Sequence, residues 1–320
     1  KAAARFLAVD GQQQQAIVVS SDVAEYAQGS SGEPTQGAGA VAMLMEADPK
    51  LLALHLNQAG SASAYRGVDF RKPFSRFAGQ QANAYGQLKD FPVFNGKYST
   101  TCYIDEVLAA MRELFVRSAE RPSQLLRRMA GIFLHRPYQR MAETGLVMSY
   151  LLALSLGAAD DHLELQSYAE QAEVDFSELQ QELNQTADVE RLLADCRLDD
   201  ELYPLASQTA RIFRTTECFD GLNTSLGHSA MQQVGNLYTA SLPAWIAAGM
   251  EDAAAQGLEL AGRQLLAIGY GSGDAAEAIP LTVVSGWQSA AQRIGMASSL
   301  AQAKDLSNNE YQALHRGEVL

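Results

Sequence analysis

The stretch "QLLAIGYGSGDAAEAIPLTVV", residues 264–284, decides the fold class. It predicts two short apolar strands joined by a glycine-rich turn. The glycines superficially fit the dinucleotide-binding fingerprint, as Gly271-x-Gly273-x-x-Ala276, but that fingerprint needs a helix directly after the turn. Only six residues separate Gly273 from Pro280, which leads the next apolar run. The unit is therefore strand-turn-strand, and its glycine turn is either a simple turn or a source of backbone N–H donors for an oxyanion.

Other apolar runs predict further strands at 16–20 ("AIVVS"), 40–45 ("AVAMLM") and 130–135 ("AGIFLH"). The glycine-rich stretch 29–40 between the first two predicts a loop. Apolar residues at helical spacing predict a helix over 100–120, a second from about Tyr138, and an acidic helical insertion at about 160–217. Strands and helices mixed in this way indicate an α/β or α+β core.

The composition excludes several classes of partner. A net charge of −13 argues against nucleic acid and against anionic membranes, which both require clustered Lys and Arg. The longest apolar stretch, 145–159, is shorter than the roughly 20 residues of a membrane span and predicts a core helix. Three widely spaced cysteines suggest neither a disulfide framework nor a zinc site, so we expect a cytoplasmic protein.

The first residues, "KAAARFLAVD", predict the interior of an amphipathic helix with no capping residue before it. We therefore expect the chain to be part of a longer polypeptide.

Three features stand out as candidates for chemistry. His135 follows an apolar strand and precedes a proline, where it is either a structural residue or a functional one. Arg127, Arg128, Arg136 and Arg140 form a basic cluster in an acidic protein, either an anion site or a set of solvated side chains. In the stretch "GNLYT", Asn236 lies at a loop-to-helix junction, where helix capping alone would explain it.

Seven stretches taken in order are more specific than any one of them: "AIVVSSDVAEYA", "GEPTQGAGAVAMLM", "VDFRKPF", "FNGKYSTTCYIDEVL", "FLHRPYQRM", "VGNLYTASL" and "AIGYGSGDAAE". Together they resemble 3-hydroxy-3-methylglutaryl-CoA (HMG-CoA) synthase of the thiolase superfamily, bacterial type. The resemblance implies an α/β, thiolase-like fold with α-β-α-β-α layers from two similar halves and a helical insertion. It places the remainder of the N-terminal half at 1–60, an excursion and connecting helix at 61–123, and the C-terminal half at 124–320.

The resemblance also implies a reaction without cofactor or metal. Acetyl-CoA acylates a cysteine, and the acetyl carbanion then attacks the ketone of acetoacetyl-CoA. His135 would polarise that ketone, Asn236 would orient the thioester, and Ser272, beside Gly271, would give a backbone donor to an oxyanion. The other positions carried over are the ligand contacts Ser31, Thr35, Ser99 and Arg140 and the supporting residues Asp22, Asp69 and Tyr238.

Two departures from the family pattern change these expectations. The family's nucleophilic cysteine and general-base glutamate would precede Lys1, and the three cysteines present match other positions, so we expect this polypeptide alone to be inactive. Where the family usually has lysines that meet CoA, the chain has Arg140 and Thr144, with Glu143 between them. An acyl carrier protein is therefore an alternative acyl donor, and a non-catalytic thiolase-fold subunit is a third possibility. A homodimer is expected.

Overall fold

A computed structural model describes residues 1–66, 96–185, 194–195, 200–271 and 274–318. The predicted site residues Asp69 and Ser272 lie outside the described residues, as do Cys196 and the whole "VDFRKPF" stretch.

The first part of the chain forms a helix and a two-stranded sheet. Helix α1 (Ala2–Val9) precedes strands β1 (Ala16–Ala24) and β2 (Gly37–Met45), which pair antiparallel with Ile17 opposite Leu44. The two predicted strands are confirmed, and each is longer than predicted. Side chains alternate across the sheet, and one face turns outward with Ile17, Val19, Val23 and Leu44 between 58% and 72% exposed.

A second, five-stranded sheet contains the stretch that opened the sequence analysis. Its strands are β3 (Leu52–Leu54), β4 (Gly60–Ser63), β5 (Gly131–Leu134), β6 (Gln264–Gly271) and β7 (Ala275–Val283). Their order is β3-β7-β6-β5, with β4 also paired to β7; β5 and β6 are parallel and the other pairs antiparallel. The β6–β7 hairpin confirms the strand-turn-strand prediction, although β7 already begins inside the predicted turn. Strands β3 and β4 were not predicted, and the domain boundaries at 60 and 123 remain predictions.

Helices cover the larger sheet and build the insertion. They are α2 (Gly96–Arg117), α3 (Pro122–Arg127), α4 (Gln139–Ser155), α5 (Ala159–Gln171), α6 (Phe176–Asn184), α7 (Pro204–Phe213), α8 (Glu217–Leu222), α9 (His228–Val234), α10 (Ser241–Ala255), α11 (Trp287–Ala291), α12 (Met296–Leu300) and α13 (Asn308–His315). Every residue of α4 from Gly145 to Ser155 is buried, which confirms a core helix at the longest apolar stretch. None of the helices in the described ranges is long and apolar enough to cross a membrane.

Arg66, which follows β4, forms a buried polar network with α2 and with the segments just before α7 and β7. The guanidinium of Arg66 donates from Nε to Glu106 (3.0 Å) and pairs with Asp105, both on α2. The other oxygen of Asp105 accepts a hydrogen bond from the Tyr203 hydroxyl at 2.8 Å, just before α7. The backbone N–H of Arg66 donates to Asp274, just before β7, at 3.0 Å. The pKa of Glu106 is raised because burial disfavours its charge.

Candidate functional site

One cavity of about 1000 Å³ gathers most of the predicted site residues. It is bounded by the loop between β1 and β2, the first turns of α2, the end of β5, the segment before α7, the loop after α9, and the end of β6. Eight predicted residues line it: Asp22, Ser31, Thr35, Ser99, His135, Asn236, Tyr238 and Gly271. The chain thus brings together residues that are up to 249 positions apart in sequence (Asp22 to Gly271).

His135 is fixed by its backbone and presents its ring to the cavity. It follows β5, and its N–H donates to the carbonyl of Ile268 on β6 at 2.7 Å, while its own carbonyl accepts from the Tyr103 hydroxyl at 3.1 Å. The ring lies against Tyr270, with centroids 6.2 Å apart, and makes no hydrogen bond within the described residues. Burial lowers the pKa of His135 to about 4, so the imidazole is neutral at pH 7 and keeps one donor nitrogen.

Asn236 makes structural hydrogen bonds and also lines the cavity. Its Oδ1 accepts a hydrogen bond from the backbone N–H of Tyr238 at 2.9 Å, and its Nδ2 donates to the hydroxyl of Tyr26 at 3.3 Å. Its own N–H donates to the carbonyl of Thr35 at 2.8 Å. The side chain is 2% exposed and still lines the cavity. A carboxamide has two N–H donors, so one of them is left for a ligand.

The predicted basic cluster does not form one site. The guanidinium of Arg136 lies 4.9 Å from the Trp245 ring centroid, and burial lowers its pKa. Arg127 pairs with Glu164, and Arg128 pairs with Glu120. Arg140 is exposed in the first turn of α4 and is not among the cavity-lining residues.

Five tyrosines of the cavity wall were not singled out by sequence reasoning: Tyr26, Tyr103, Tyr138, Tyr203 and Tyr270. Tyr26 and Tyr103 lie within stretches that resemble the family, "SSDVAEYA" and "TTCYIDEVL", so the family pattern was the available signal. Tyr203 follows the acidic part of the insertion, and only its bond to Asp105 shows its place.

The charged residues of the lining are mostly acidic. Lys97 is its only basic residue within the described ranges, against Asp22, Asp200 and Glu201. Such a lining suits the uncharged part of an acyl thioester better than phosphate groups. Neither described cysteine lines the cavity: Cys102 is buried in α2, and Cys218 lies 3.3 Å from the Tyr150 hydroxyl.

Gly235→Ala is expected to destabilise the protein. Gly235 has φ 68° and ψ −155°, a conformation essentially confined to glycine, and an added Cβ would overlap the carbonyl oxygen of Gln36. The backbone strain alone costs about 1–3 kcal/mol, before the overlap is counted. Urea unfolding at pH 7 measures the change, with Gly257→Ala as the control, because Gly257 has a similar φ of 67° and open space around it. Equal losses in both variants would contradict the close approach of residues 235 and 36.

The sequence model of the family described as hydroxymethylglutaryl-coenzyme A synthase C terminal matches residues 86–316. The Haloferax volcanii hydroxymethylglutaryl-CoA synthase is 28% identical over 306 residues, which are 94% of this chain and 59% of that protein. The Enterococcus faecalis synthase is 26% identical over 298 residues, 93% of this chain and 57% of that protein. The chain therefore spans less than two thirds of the length of these relatives.

Solved structures show the same fold. MvaS in complex with 3-hydroxy-3-methylglutaryl coenzyme A has a TM-score of 0.69 at 24% identity, covering 98% of this chain and 63% of that one. The HMG synthase of the curacin biosynthetic pathway, in complex with holo donor-ACP (acyl carrier protein), has a TM-score of 0.60 at 18% identity, covering 95% and 57%. The predicted thiolase-like α/β fold is confirmed. Since the matching family model covers most of the sequence, the chain belongs to the hydroxymethylglutaryl-CoA synthase family, and its residues 86–316 correspond to the C-terminal part of that family.

Proposed function

We propose that this chain forms the acceptor-thioester part of an HMG-CoA synthase, which condenses acetyl-CoA with acetoacetyl-CoA and water to HMG-CoA. The observation that carries the proposal is the shared cavity of His135, Asn236 and Gly271. These are the positions at which the family resemblance places a carbonyl-polarising imidazole, a thioester-orienting amide and an oxyanion turn.

In this proposal the acetoacetyl ketone lies against the ring of His135. The neutral imidazole donates a hydrogen bond to the ketone oxygen and so stabilises the negative charge that develops there as the new carbon–carbon bond forms. Burial lowers the pKa of His135 to about 4, so the ring is neutral at pH 7 and acts as a hydrogen-bond donor. The free N–H of Asn236 donates to the thioester carbonyl and thereby fixes the distance between the ketone and the histidine.

In the same proposal, the nucleophilic cysteine is supplied by a part of the protein that this sequence does not contain. Without a thiolate there is no acetyl-enzyme, and the described lining of the cavity contains no cysteine. We therefore propose that the chain by itself binds the acceptor thioester and does not turn it over.

A binding measurement on the chain tests the proposal. Acetoacetyl-CoA is expected to bind more tightly than free CoA in isothermal titration calorimetry. Asn236→Asp should weaken acetoacetyl-CoA binding by at least about tenfold, because the carboxylate keeps the acceptor for Tyr238 and loses the donor for the ligand. Asn57→Asp, a change at an exposed asparagine, is the matched control. Equal affinity for the two ligands would end the proposal.

A carrier-protein-dependent synthase is the second candidate, favoured by the charges near α4. Glu143 interacts with Arg136 and Arg214, and Arg214 donates a hydrogen bond to Thr144 at 3.0 Å. Part of the basic charge available to CoA phosphates is thereby offset. Titration with acetoacetyl attached to a holo acyl carrier protein separates the candidates: tighter binding than acetoacetyl-CoA favours the carrier, and weaker binding favours CoA.

The wider assignment follows from the family resemblance. We propose a role in the mevalonate pathway, in the cytoplasm, with the complete enzyme as a homodimer. A non-catalytic thiolase-fold subunit is the alternative, and a chain that binds neither acceptor thioester would favour it.

A further inference from the structure

Helix α13 lies on the loop that carries one wall of the cavity. It contains no buried residue, and a capping box between Ser307 and Glu310 satisfies its own N-terminus. Its contacts to the loop are polar: the Tyr311 hydroxyl lies 2.6 Å from Glu33 and 3.1 Å from the Gln36 amide, and Gln312 bonds to Gln28. These hydrogen bonds therefore tie the loop to the helix.

The direction of each hydrogen bond follows from the chemistry of the groups. Glu33 is ionised, since its pKa is lowered first by the bond from Tyr311, so its carboxylate only accepts and the Tyr311 hydroxyl donates to it. That hydroxyl then accepts from Gln36 and from His315, whose Nε2 lies 2.9 Å away. The second oxygen of Glu33 accepts from the N–H of Gly29 at 2.6 Å. The Tyr311 hydroxyl therefore contacts Gln36 directly and Gly29 through Glu33, and these two residues flank the segment that contains Ser31.

The same chain of contacts reaches the cavity. Gln36 accepts the backbone N–H of Tyr26 at 2.8 Å, and the Tyr26 hydroxyl accepts from Asn236 at 3.3 Å. The carbonyl of Thr35 accepts the backbone N–H of Asn236 at 2.8 Å. A shift of the loop would therefore move the carboxamide that faces the ligand.

We propose that Tyr311 is a positioning residue for the acceptor site: it holds the 26–36 loop, and through it Tyr26 and Asn236, in the geometry that binds the thioester. The identity of the ligand rests on the proposed function. The coupling between α13 and the 26–36 loop is independent of the proposed function.

The test is Tyr311→Phe in the chain, with Glu33→Ala as a second variant. Hydrogen exchange read by mass spectrometry should quicken about tenfold in peptides covering residues 27–36, because one charge-assisted hydrogen bond is lost. Acetoacetyl-CoA should bind about tenfold more weakly, with the thermal midpoint within about 2 °C of wild type, since Tyr311 is not buried. Tyr65→Phe, at a tyrosine that is 81% exposed, removes the same hydroxyl elsewhere and should change neither quantity.

The double variant separates a local role from a structural one. If Tyr311 acts through Glu33, the double variant should neither quicken exchange nor weaken acetoacetyl-CoA binding beyond the larger single effect. Unchanged exchange at 27–36 in both single variants would overturn the inference, and so would faster exchange spread over the whole chain with a lowered thermal midpoint. If the wild-type chain binds no acetoacetyl-CoA, the proposed function fails, and the exchange data still decide the role of Tyr311.

Discussion

Arg66→Met is expected to lower the free energy of unfolding by about 3–5 kcal/mol, because it leaves buried carboxylates without their cation. The guanidinium is 9% exposed, and the side chains of its partners Asp105 and Glu106 are 8% and 1% exposed. One oxygen of Glu106 already has no hydrogen-bond partner in the described structure, and the other accepts from Arg66, so the substitution leaves this carboxylate without a partner there. Urea unfolding at pH 7 gives the number.

The pH dependence identifies the cause of this loss. Burial already raises the pKa of Glu106 in the folded protein and Arg66 opposes that rise, so without Arg66 the pKa of Glu106 should rise further and the folded variant should bind more protons than the unfolded one. Its stability relative to wild type should then recover as pH falls from 7 to 5. Arg117→Met breaks the exposed pair with Glu113 and is the control, with an expected loss below about 1 kcal/mol. Two outcomes would show that the network is not held by charge. One is a similar loss in both variants, and the other is a difference in unfolding free energy between wild type and Arg66→Met that grows from pH 7 to pH 5.

His135→Ala should reduce condensation by about 10²–10⁴-fold in a polypeptide that carries this chain together with the nucleophilic cysteine. The cysteine should still take up acetyl, because the imidazole is assigned to the second half-reaction. Mass spectrometry of the intact protein after mixing with acetyl-CoA measures acetylation, and loss of acetoacetyl-CoA measures condensation. Because burial lowers the pKa of His135 to about 4, the wild-type rate should show no ionisation of this group between pH 6 and 8.

The control for this experiment is His162→Ala, a histidine of the insertion that contacts the carbonyl of Ser155 at 3.2 Å and does not line the cavity. It should condense at the wild-type rate. Condensation by His135→Ala within about threefold of wild type would remove the histidine from the mechanism, and a loss of acetylation would assign it to the first half-reaction instead.

Local sequence predicted the strands that carry continuous apolar or β-branched runs, as at 16–20 and 264–270. It missed β3 and β4, whose sequences "LAL" and "GSAS" have no pattern of their own and become strands by pairing with β7. The same limit applies to charge. Arg127 looks free in the sequence, but its partner Glu164 is 37 residues away and reaches it only when α5 packs near α3.

The candidate site was predictable to the extent that family pattern marks it. His135 and Asn236 stood out in short stretches, and the fold brings both to one cavity. The pKa of His135 was not predictable, because desolvation depends on the packing around the ring. Nor was the role of Tyr311, which depends on a polar contact between positions 33 and 311.

The outward row of apolar side chains on β1 and β2 has a consequence for how molecules of this chain behave toward one another. Two forces of different range oppose each other: the net charge of −13 repels at a distance, and the row attracts at contact. Added salt shortens the reach of the first and leaves the second intact. Added salt is therefore expected to favour contacts between the apolar rows of two molecules of the chain.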